Sequence, residues 1–314
     1  MTYAPIIVTV YDRLQHFQQC IGALQRNGPA CESELYVVSD APGRPEHAAR
    51  IDQVRAYARS ITGFKKVHLV FREENYGTSR SFLAITQQVM DEHGKFIFLE
   101  DDVVASPNFL DYMNGGLEFY EADQRIFSIT AYTHPIAFPK NFKRDVFFLP
   151  NGCLWGFAIW KDRWEKVDFS VKDRYASATE DRKLYKKIIS TGYYLMQLLL
   201  SDSQGRMNAP DIRMAFHQFA HDVYSVCPRI SKTGNIGLDG SGQHSGTDIN
   251  NKYLVRPDTS SDKVVFDVNV RLDTAIIRRI RNFQNGDLLR CLIIFISLAK
   301  RRWMYKSRQK NAVK

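Results

Sequence analysis

The sequence predicts an α/β fold with a mixed, mostly parallel sheet flanked by helices. Two observations carry this. Over the first hundred residues short β-branched runs alternate with stretches of helical spacing, the pattern of right-handed β-α-β crossovers. Acids, bases and turn residues also gather just after those runs, where ligands bind in such sheets. The 314 residues suffice for one large domain or two modest ones with a sizeable core.

The elements follow in order. Ile6-Ile7-Val8-Thr9-Val10 is short and branched, and reads as a buried strand. Leu14, Phe17, Ile21 and Leu24 then recur at helical spacing, and Asn27-Gly28-Pro29 ends that helix. Leu35-Tyr36-Val37-Val38 is a second strand, stopped by Ser39-Asp40-Ala41-Pro42-Gly43, and a polar helix runs on to about Ser60. Val67–Phe71 is the third strand, and a helix follows from Tyr76 to about Met90. Phe96-Ile97-Phe98-Leu99 is the fourth strand and ends in Glu100-Asp101-Asp102. Ser106-Pro107 has the form of an N-cap and first-turn proline, predicting a helix through Tyr112. Further on, Asp211 to about Phe219 reads as a helix behind Ala209-Pro210, and Tyr224–Cys227 as a strand stopped by Pro228.

Composition excludes several classes. With 44% apolar and 25% charged residues the chain is globular rather than disordered. No run reaches the roughly 18 consecutive apolar residues of a spanning helix. The N-terminus lacks a basic segment before its first apolar run, so no secretory leader is expected. Five scattered cysteines form no C-x-x-C pair, which argues against a disulfide framework or structural zinc and for a reducing, cytoplasmic setting. The net charge of +9 belongs to one end. Residues 271–314 hold twelve Lys/Arg against two acids, while the other 270 residues carry 31 basic and 32 acidic groups, a balance of −1. A basic stripe over the folded part, as a nucleic-acid-binding domain would show, is therefore absent, and no nucleic-acid partner is expected.

The residues after the strands are Tyr11-Asp12-Arg13, Ser39-Asp40, Arg72 with Asn75-Tyr76-Gly77, and Glu100-Asp101-Asp102. No G-x-G-x-x-G or P-loop accompanies them. Two carboxylates about 4–5 Å apart repel by roughly 3–4 kcal/mol at an effective dielectric near 20. No Lys or Arg lies between Lys95 and Arg125 to relieve this locally. An extended chain would put Glu100 and Asp102 on one face and Asp101 on the other. Either Mg²⁺ or Mn²⁺, which favour carboxylate and phosphate oxygens, or a solvated acidic turn accounts for the run.

Residues 96–110 resemble the DXD-type metal motif of GT-A glycosyltransferases. The match is to bacterial family 2 sugar transferases of surface-polysaccharide synthesis, with a more distant similarity to the N-acetylglucosaminyltransferase I type. The resemblance covers roughly residues 4–250 and includes Val10-Tyr11-Asp12-Arg13, Ser39-Asp40, Arg72–Gly77, Leu154–Trp164 and Asn235–His244. It implies a GT-A, Rossmann-like fold and a nucleotide-diphosphate sugar donor, a UDP-sugar favoured. It also implies a divalent cation, and transfer with inversion of a hexosyl or N-acetylhexosaminyl group to a glycan acceptor, lipid-linked. By the same resemblance Asp102 is the metal ligand, with Glu100 and Asp101 near the sugar and ribose. Asp40 reads the base, Arg13 lies by the base or phosphates, and Tyr11, Asp12, Arg72 and Asn75 complete the donor side. Local alternatives exist: Asp40 as an Asx turn before Pro42-Gly43, Arg13 as a helix-start residue, and Arg72 and Asn75 as loop builders.

Trp155 and Trp160 offer aromatic faces for an acceptor sugar or for the core, and Trp164 is expected beside Trp160 on a helix. Where relatives carry an Asp-Ser-Trp-type segment, this chain has Asn208-Ala209-Pro210, and an Asn accepts no proton. Asp211 is the candidate base, or a helix cap, and Asp202 is second. His244, in the glycine-rich run Asp239–His244, is a candidate for the metal shell or diphosphate, or is merely exposed. The expected organisation is a transferase domain over 1–255, with a nucleotide-sugar half (1–130) and an acceptor half (131–255). A linker (256–270) and a basic amphipathic helical tail (271–314) follow. That tail reads as an in-plane foot on anionic lipid, making the protein peripheral on the inner face of the cytoplasmic membrane, or as a helix docked on the domain. A sugar-nucleotide pyrophosphorylase would carry a glycine-rich basic loop in place of Tyr11-Asp12-Arg13-Leu14. A non-enzymatic membrane or RNA adaptor would leave the converging acids unexplained.

Overall fold

A computed structural model of the chain describes residues 2–170, 172–241, 252–285 and 296. The chain divides into two compact units. The first comprises Met1–Pro135, Lys143–Asp168 and His221–Leu272; the second comprises Ile136–Phe142, Phe169–Ala220 and the chain from Asp273. These boundaries differ from the expected halves at 130 and 255, because the second unit is an insertion joined by a late segment.

In the first unit the chain runs β1 (Ile6–Val10), α1 (Leu14–Gln25), β2 (Glu34–Ser39), α2 (Ala48–Arg59), β3 (Lys66–Phe71) and α3 (Gly77–His93). Next come β4 (Lys95–Glu100), β5 (Val103–Ala105), α4 (Phe109–Phe119), β6 (Ile126–Thr130), β7 (Val146–Leu149), β8 (Phe157–Trp160) and α5 (Lys161–Trp164). β9 (Tyr224–Pro228) and β10 (Thr233–Asn235) complete it. The eight-stranded sheet has the order β3-β2-β1-β4-β8-β6-β9-β7. β3, β2, β1 and β4 are mutually parallel, β8 is antiparallel to both its neighbours, β9 is parallel to β6, and β7 is antiparallel to β9. The early strands and the helices between them follow the sequence expectation, with ends moved by a few residues. β1 and the middle of β4 are buried on both faces, which explains their continuous apolar runs. α1 turns Phe17, Cys20, Ile21 and Leu24 inward at the spacing of one helical stripe.

Three local expectations are corrected. α4 begins at Phe109 rather than at Ser106 and runs to Phe119. Asn27 imposes this start: its Oδ1 accepts from the Leu110 N–H (2.9 Å) and its Nδ2 donates to the Ser106 carbonyl (3.0 Å). Trp160 ends a strand instead of sharing a helix with Trp164. The stretch read as a linker, 256–270, is irregular in backbone but tied to the first unit. The Phe266 ring stacks on Tyr112 at 5.8 Å, the Tyr120 hydroxyl donates to the Asp267 carbonyl (2.8 Å), and Lys232 pairs with Asp258.

The second unit is helical: α6 (Arg174–Glu180), α7 (Arg182–Ser190), α8 (Tyr194–Ser203), α9 (Pro210–His221) and α10 (Thr274–Asn285). Asp173 and Asp181 cap α6 and α7 through their carboxylates. The core gathers Tyr175, Ile188, Met196, Leu199, Leu200 and Ile212. α10 belongs to this unit. Asp273 caps it, Ile276 and Ile280 are 1% and 4% exposed, and Asn285 Oδ1 accepts from the Tyr193 N–H at 3.0 Å. The first part of the supposed membrane tail is thus a docked helix with its apolar face spent. The residues from 286 onward, except 296, lie outside those described.

Candidate active site

β1 and β4 pair side by side, so the turn after each comes out at the same edge of the sheet. β4 ends at Glu100, and Asp101-Asp102 form a turn rather than continuing the strand. The expected alternation is therefore overturned: both aspartates, not Glu100 and Asp102, face a common partner. That partner is Arg13 at the start of α1. Its Nη2 donates to Asp101 Oδ1 and, at 2.8 Å, to Asp102 Oδ2. The two aspartates are only 4% and 7% exposed. Burial pushes the Asp101 carboxyl up to about 6, against the pull of Arg13, with Asp102 raising it further. Burial also works against the charge of Arg13, but the two aspartates outweigh it and hold its pKa above the ordinary value.

The end of β10 and the segment after it close round Asp102. Asn235 Nδ2 donates to Asp102 Oδ1 (3.2 Å), and the Ile236 N–H donates to the Asp102 carbonyl (2.9 Å). Gly237 lies so close that a Cβ there would run into the Asp102 carboxylate and the Arg13 guanidinium. Two residues beyond, Asp239 pairs with His16 at 3.2 Å. Sequence reasoning did not single out Asn235, Gly237 and His16. The first two lie inside the block 235–244 that carries the resemblance, and His16 stands one helical turn after Arg13.

A second group of predicted residues meets at the ends of β1, β2 and β3. Asp40 accepts from three backbone N–H groups: Ala41 (3.0 Å), Tyr76 (2.9 Å) and Gly77 (2.7 Å). Its carboxylate holds the entry of α3, where Gly77 has a positive φ of 70° that favours glycine. Reading a base is not what its acceptor sites are engaged in. Asn75 donates to the Ala41 carbonyl (2.6 Å) and builds the same loop. The Tyr11 hydroxyl accepts from the Gly43 N–H (2.8 Å) and lies 2.7 Å from His47 Nδ1, while Asp12 pairs with Arg50 at 2.8 Å. Arg72 stacks over the Tyr76 ring at 4.8 Å, and its buried Nε and Nη2 have no hydrogen-bond partner among the described residues. Those two atoms form one edge of the guanidinium, the edge that takes a carboxylate or phosphate in two parallel bonds.

The other predicted residues fall elsewhere. Glu100 ends β4 half-buried, its carbonyl accepting from Cys20 Sγ at 3.6 Å. Trp160 is 4% exposed, and its Nε1 donates to the Leu117 carbonyl (3.2 Å), so it is a core residue and not an acceptor platform. Trp155 is half-buried and edge-on to Tyr132 at 4.7 Å. Asp202 belongs to the second unit, 1% exposed and paired with the equally buried Arg213 at 2.9 Å. A carboxylate committed to that pair does not act as a base. Asp211, in the first turn of α9, is exposed yet closely surrounded by protein. Desolvation raises its pKa against the backbone N–H of Ile212, and Asp202 raises it further. His244 lies outside the described residues.

Two converging carboxylates form a hard-oxygen donor set already engaged with one positive charge, and that chemistry fits Mg²⁺ or Mn²⁺. Among the described residues no cluster of three or more His, Cys, Asp or Glu gathers. Such ions are commonly held by one or two carboxylates plus substrate phosphates. Asp101 and Asp102 would hold the ion here.

The class of protein is given by comparison with known proteins. The chain matches the model of glycosyl transferase family 2 over residues 6–188, more than half its length, and it belongs to that family. Among curated proteins no sequence matches. Solved structures similar to the chain include a mannosyltransferase, PcManGT, from Pyrobaculum calidifontis in complex with GDP-Man and Mn²⁺. It is 12% identical over 70% of each chain, with a TM-score of 0.39. Residues 1–349 of TarS from S. aureus are 14% identical over 54% of this chain and 50% of that one, with a TM-score of 0.35. The fold is the GT-A type, a mostly parallel α/β sheet flanked by helices.

Proposed function

We propose that the protein transfers a sugar from a nucleotide-diphosphate donor to a glycan acceptor, with inversion and with a divalent cation. A UDP-sugar is the favoured donor and a lipid-linked glycan of a surface polysaccharide the favoured acceptor. The observation that carries this reading is the convergence of Asp101 and Asp102 at the end of β4, backed by Asn235 and Gly237. A cation bound there would offset the charge that develops on the departing diphosphate. Arg72, with its unspent Nε–Nη2 edge, supports a role in holding donor oxygens. Tyr11, Asp12 and Asn75 shape the donor loop, and Asp40 fixes it from beneath. Trp155 remains the candidate for stacking on the acceptor sugar.

Asp211 is our candidate base. It takes the proton of the acceptor hydroxyl as that oxygen bonds to the anomeric carbon and the bond from carbon to diphosphate oxygen breaks. Its raised pKa suits proton uptake near neutrality better than an ordinary aspartate would. Attachment to the inner membrane face, if it occurs through the tail, falls to residues beyond 285, since α10 has buried its apolar face. Residues 286–314 keep eight Lys/Arg against Asp287. Among the described residues no helix is long and apolar enough to cross a membrane.

The test is a product screen against UDP- and GDP-sugars with a mixed glycan panel, in Mn²⁺, Mg²⁺ or EDTA. A glycosylated product that disappears in EDTA and in Asp102→Asn, with the melting temperature kept, is the expected result. Turnover indifferent to both would remove the metal assignment.

A further inference from the structure

We propose that Arg13 is a resident counter-cation of the Asp101–Asp102 pair, which a divalent ion displaces and whose freed guanidinium then takes the donor's diphosphate. The inference rests on the glycosyltransferase reading and adds an order of events to it.

Three observations lead there. The first is shared oxygens. Arg13 Nη2 bonds an oxygen of each aspartate, and these are the donors that an ion at this turn would use. Guanidinium and metal therefore compete for one place. The second is charge. Two buried carboxylates against one guanidinium leave a net charge of −1, whereas a dication in the place of Arg13 brings the pair to neutrality. The pair thus tolerates its free state while keeping a preference for higher positive charge. The third is an unspent donor. Arg13 Nη1 is buried and has no hydrogen-bond partner among the described residues, held beside Gly237, where no side chain fits. A guanidinium that leaves the aspartates needs acceptors for both its nitrogens, and diphosphate oxygens match that fork better than water or a single carbonyl.

The exchange makes ion and nucleotide binding mutually dependent. Metal alone must break the Arg13 contacts with nothing to receive the guanidinium, so it binds weakly. Nucleoside diphosphate supplies the receiver and adds its own oxygens to the ion. By linkage each ligand then raises the affinity of the other by the same factor.

The test is Mn²⁺ binding, followed by the electron paramagnetic resonance signal of the free ion, with and without UDP or GDP and without any sugar donor. In the full-length protein nucleotide should raise Mn²⁺ affinity. In Arg13→Gln, Mn²⁺ alone should bind about tenfold tighter, and the gain from nucleotide should shrink by a similar factor to what the diphosphate oxygens themselves add to the ion, a change within the usual range of site couplings. Arg13→Lys keeps the charge and loses the fork. Mn²⁺ alone should then stay weak while the nucleotide gain falls. A folded Arg13→Gln that binds Mn²⁺ no tighter than the parent overturns the proposal. If that variant fails to fold, an unchanged nucleotide gain in Arg13→Lys overturns it. These titrations need no turnover, so a failed donor screen sinks the functional reading without deciding this one. A productive screen with unaltered Mn²⁺ binding does the reverse.

Discussion

Replacing Asp40 by alanine separates two roles for one carboxylate. In the structure its oxygens accept from Tyr76 and Gly77 at the entry of α3, and from Ala41 beside it, while Asp40 itself is 8% exposed. A bond to a charged acceptor contributes about 1.5–3 kcal/mol, and an acid at a helix N-terminus about 0.3–1 kcal/mol more. The loop is part-exposed, so water recovers some of the loss, and we expect Asp40→Ala to cost about 2–4 kcal/mol. That corresponds to a melting temperature lower by about 4–16 °C at 2–4 °C per kcal/mol. Asp40→Asn keeps one acceptor oxygen and should lose about half as much. Hydrogen exchange should show the amides of Tyr76 and Gly77 losing protection first. Binding is the second readout: a uridine nucleotide and a ribose phosphate without base should weaken together, because the whole loop loosens. If Asp40→Ala melts with the parent and weakens the uridine nucleotide alone, the carboxylate reads the base and the capping argument is wrong.

Other outcomes follow from the same kind of reasoning. Asp202→Ala strands Arg213 without its carboxylate in the core of the second unit, and urea unfolding should show a loss of about 3–5 kcal/mol. The double change Asp202→Leu with Arg213→Met should recover most of it, and a harmless single variant would mean that the pair is not buried as described. Asp211→Asn should lower turnover by about 10²–10⁴-fold with donor affinity kept. Because the base works deprotonated and its pKa is raised, the parent's activity should fall as pH drops, with an acid limb displaced upward from that of a free aspartate, and the limb should be lost in Asp211→Asn; a limb unchanged in that variant would exclude Asp211. Ile280→Ala should cost about 2–4 kcal/mol of stability, since the side chain is 4% exposed. Loss of liposome binding with stability intact would instead return α10 to the membrane.

What could be read in advance was whatever neighbours along the chain decide. Ile6–Val10 and Phe96–Leu99 are too short and too branched to be anything but strands, and the residues that follow them must emerge at one sheet edge. The family resemblance rested on those same turns. What escaped was decided by partners far away in sequence. Asn27 starts α4 from a position 83 residues earlier, so Ser106-Pro107, a sound local cap signal, is overruled. Trp160 looks like a platform in the string Leu154–Trp160, but the pairing of β8 with β4 and β6 turns it into the core. The insertion 169–220 carries its helix signals in the capping aspartates Asp173 and Asp181, which reading for strand ends passes over.

The acidic turn shows how the two kinds of information combine. Sequence alone poses a problem, adjacent carboxylates with no nearby cation, and offers either a metal or solvent as its relief. The fold supplies a third relief, a basic side chain from a distant turn. The parallel pairing of β1 with β4 brings together two turns that lie 88 and 89 residues apart, and the first of them happens to carry an arginine. Its guanidinium offsets part of the repulsion between the carboxylates. A site built this way folds before it meets its substrate, because its repulsion is already offset. It keeps its affinity for a stronger cation, because the oxygens are only borrowed. The asymmetry between the two aspartates follows from the same packing: Asp102 is fixed further by Asn235 and by the backbone of Ile236, whereas no hydrogen bond to Asp101 other than that from Arg13 is seen among the described residues. A displaced Arg13 would therefore free Asp101 to reorient while Asp102 stays in place, which makes Asp102 the fixed ligand and Asp101 the adjustable one.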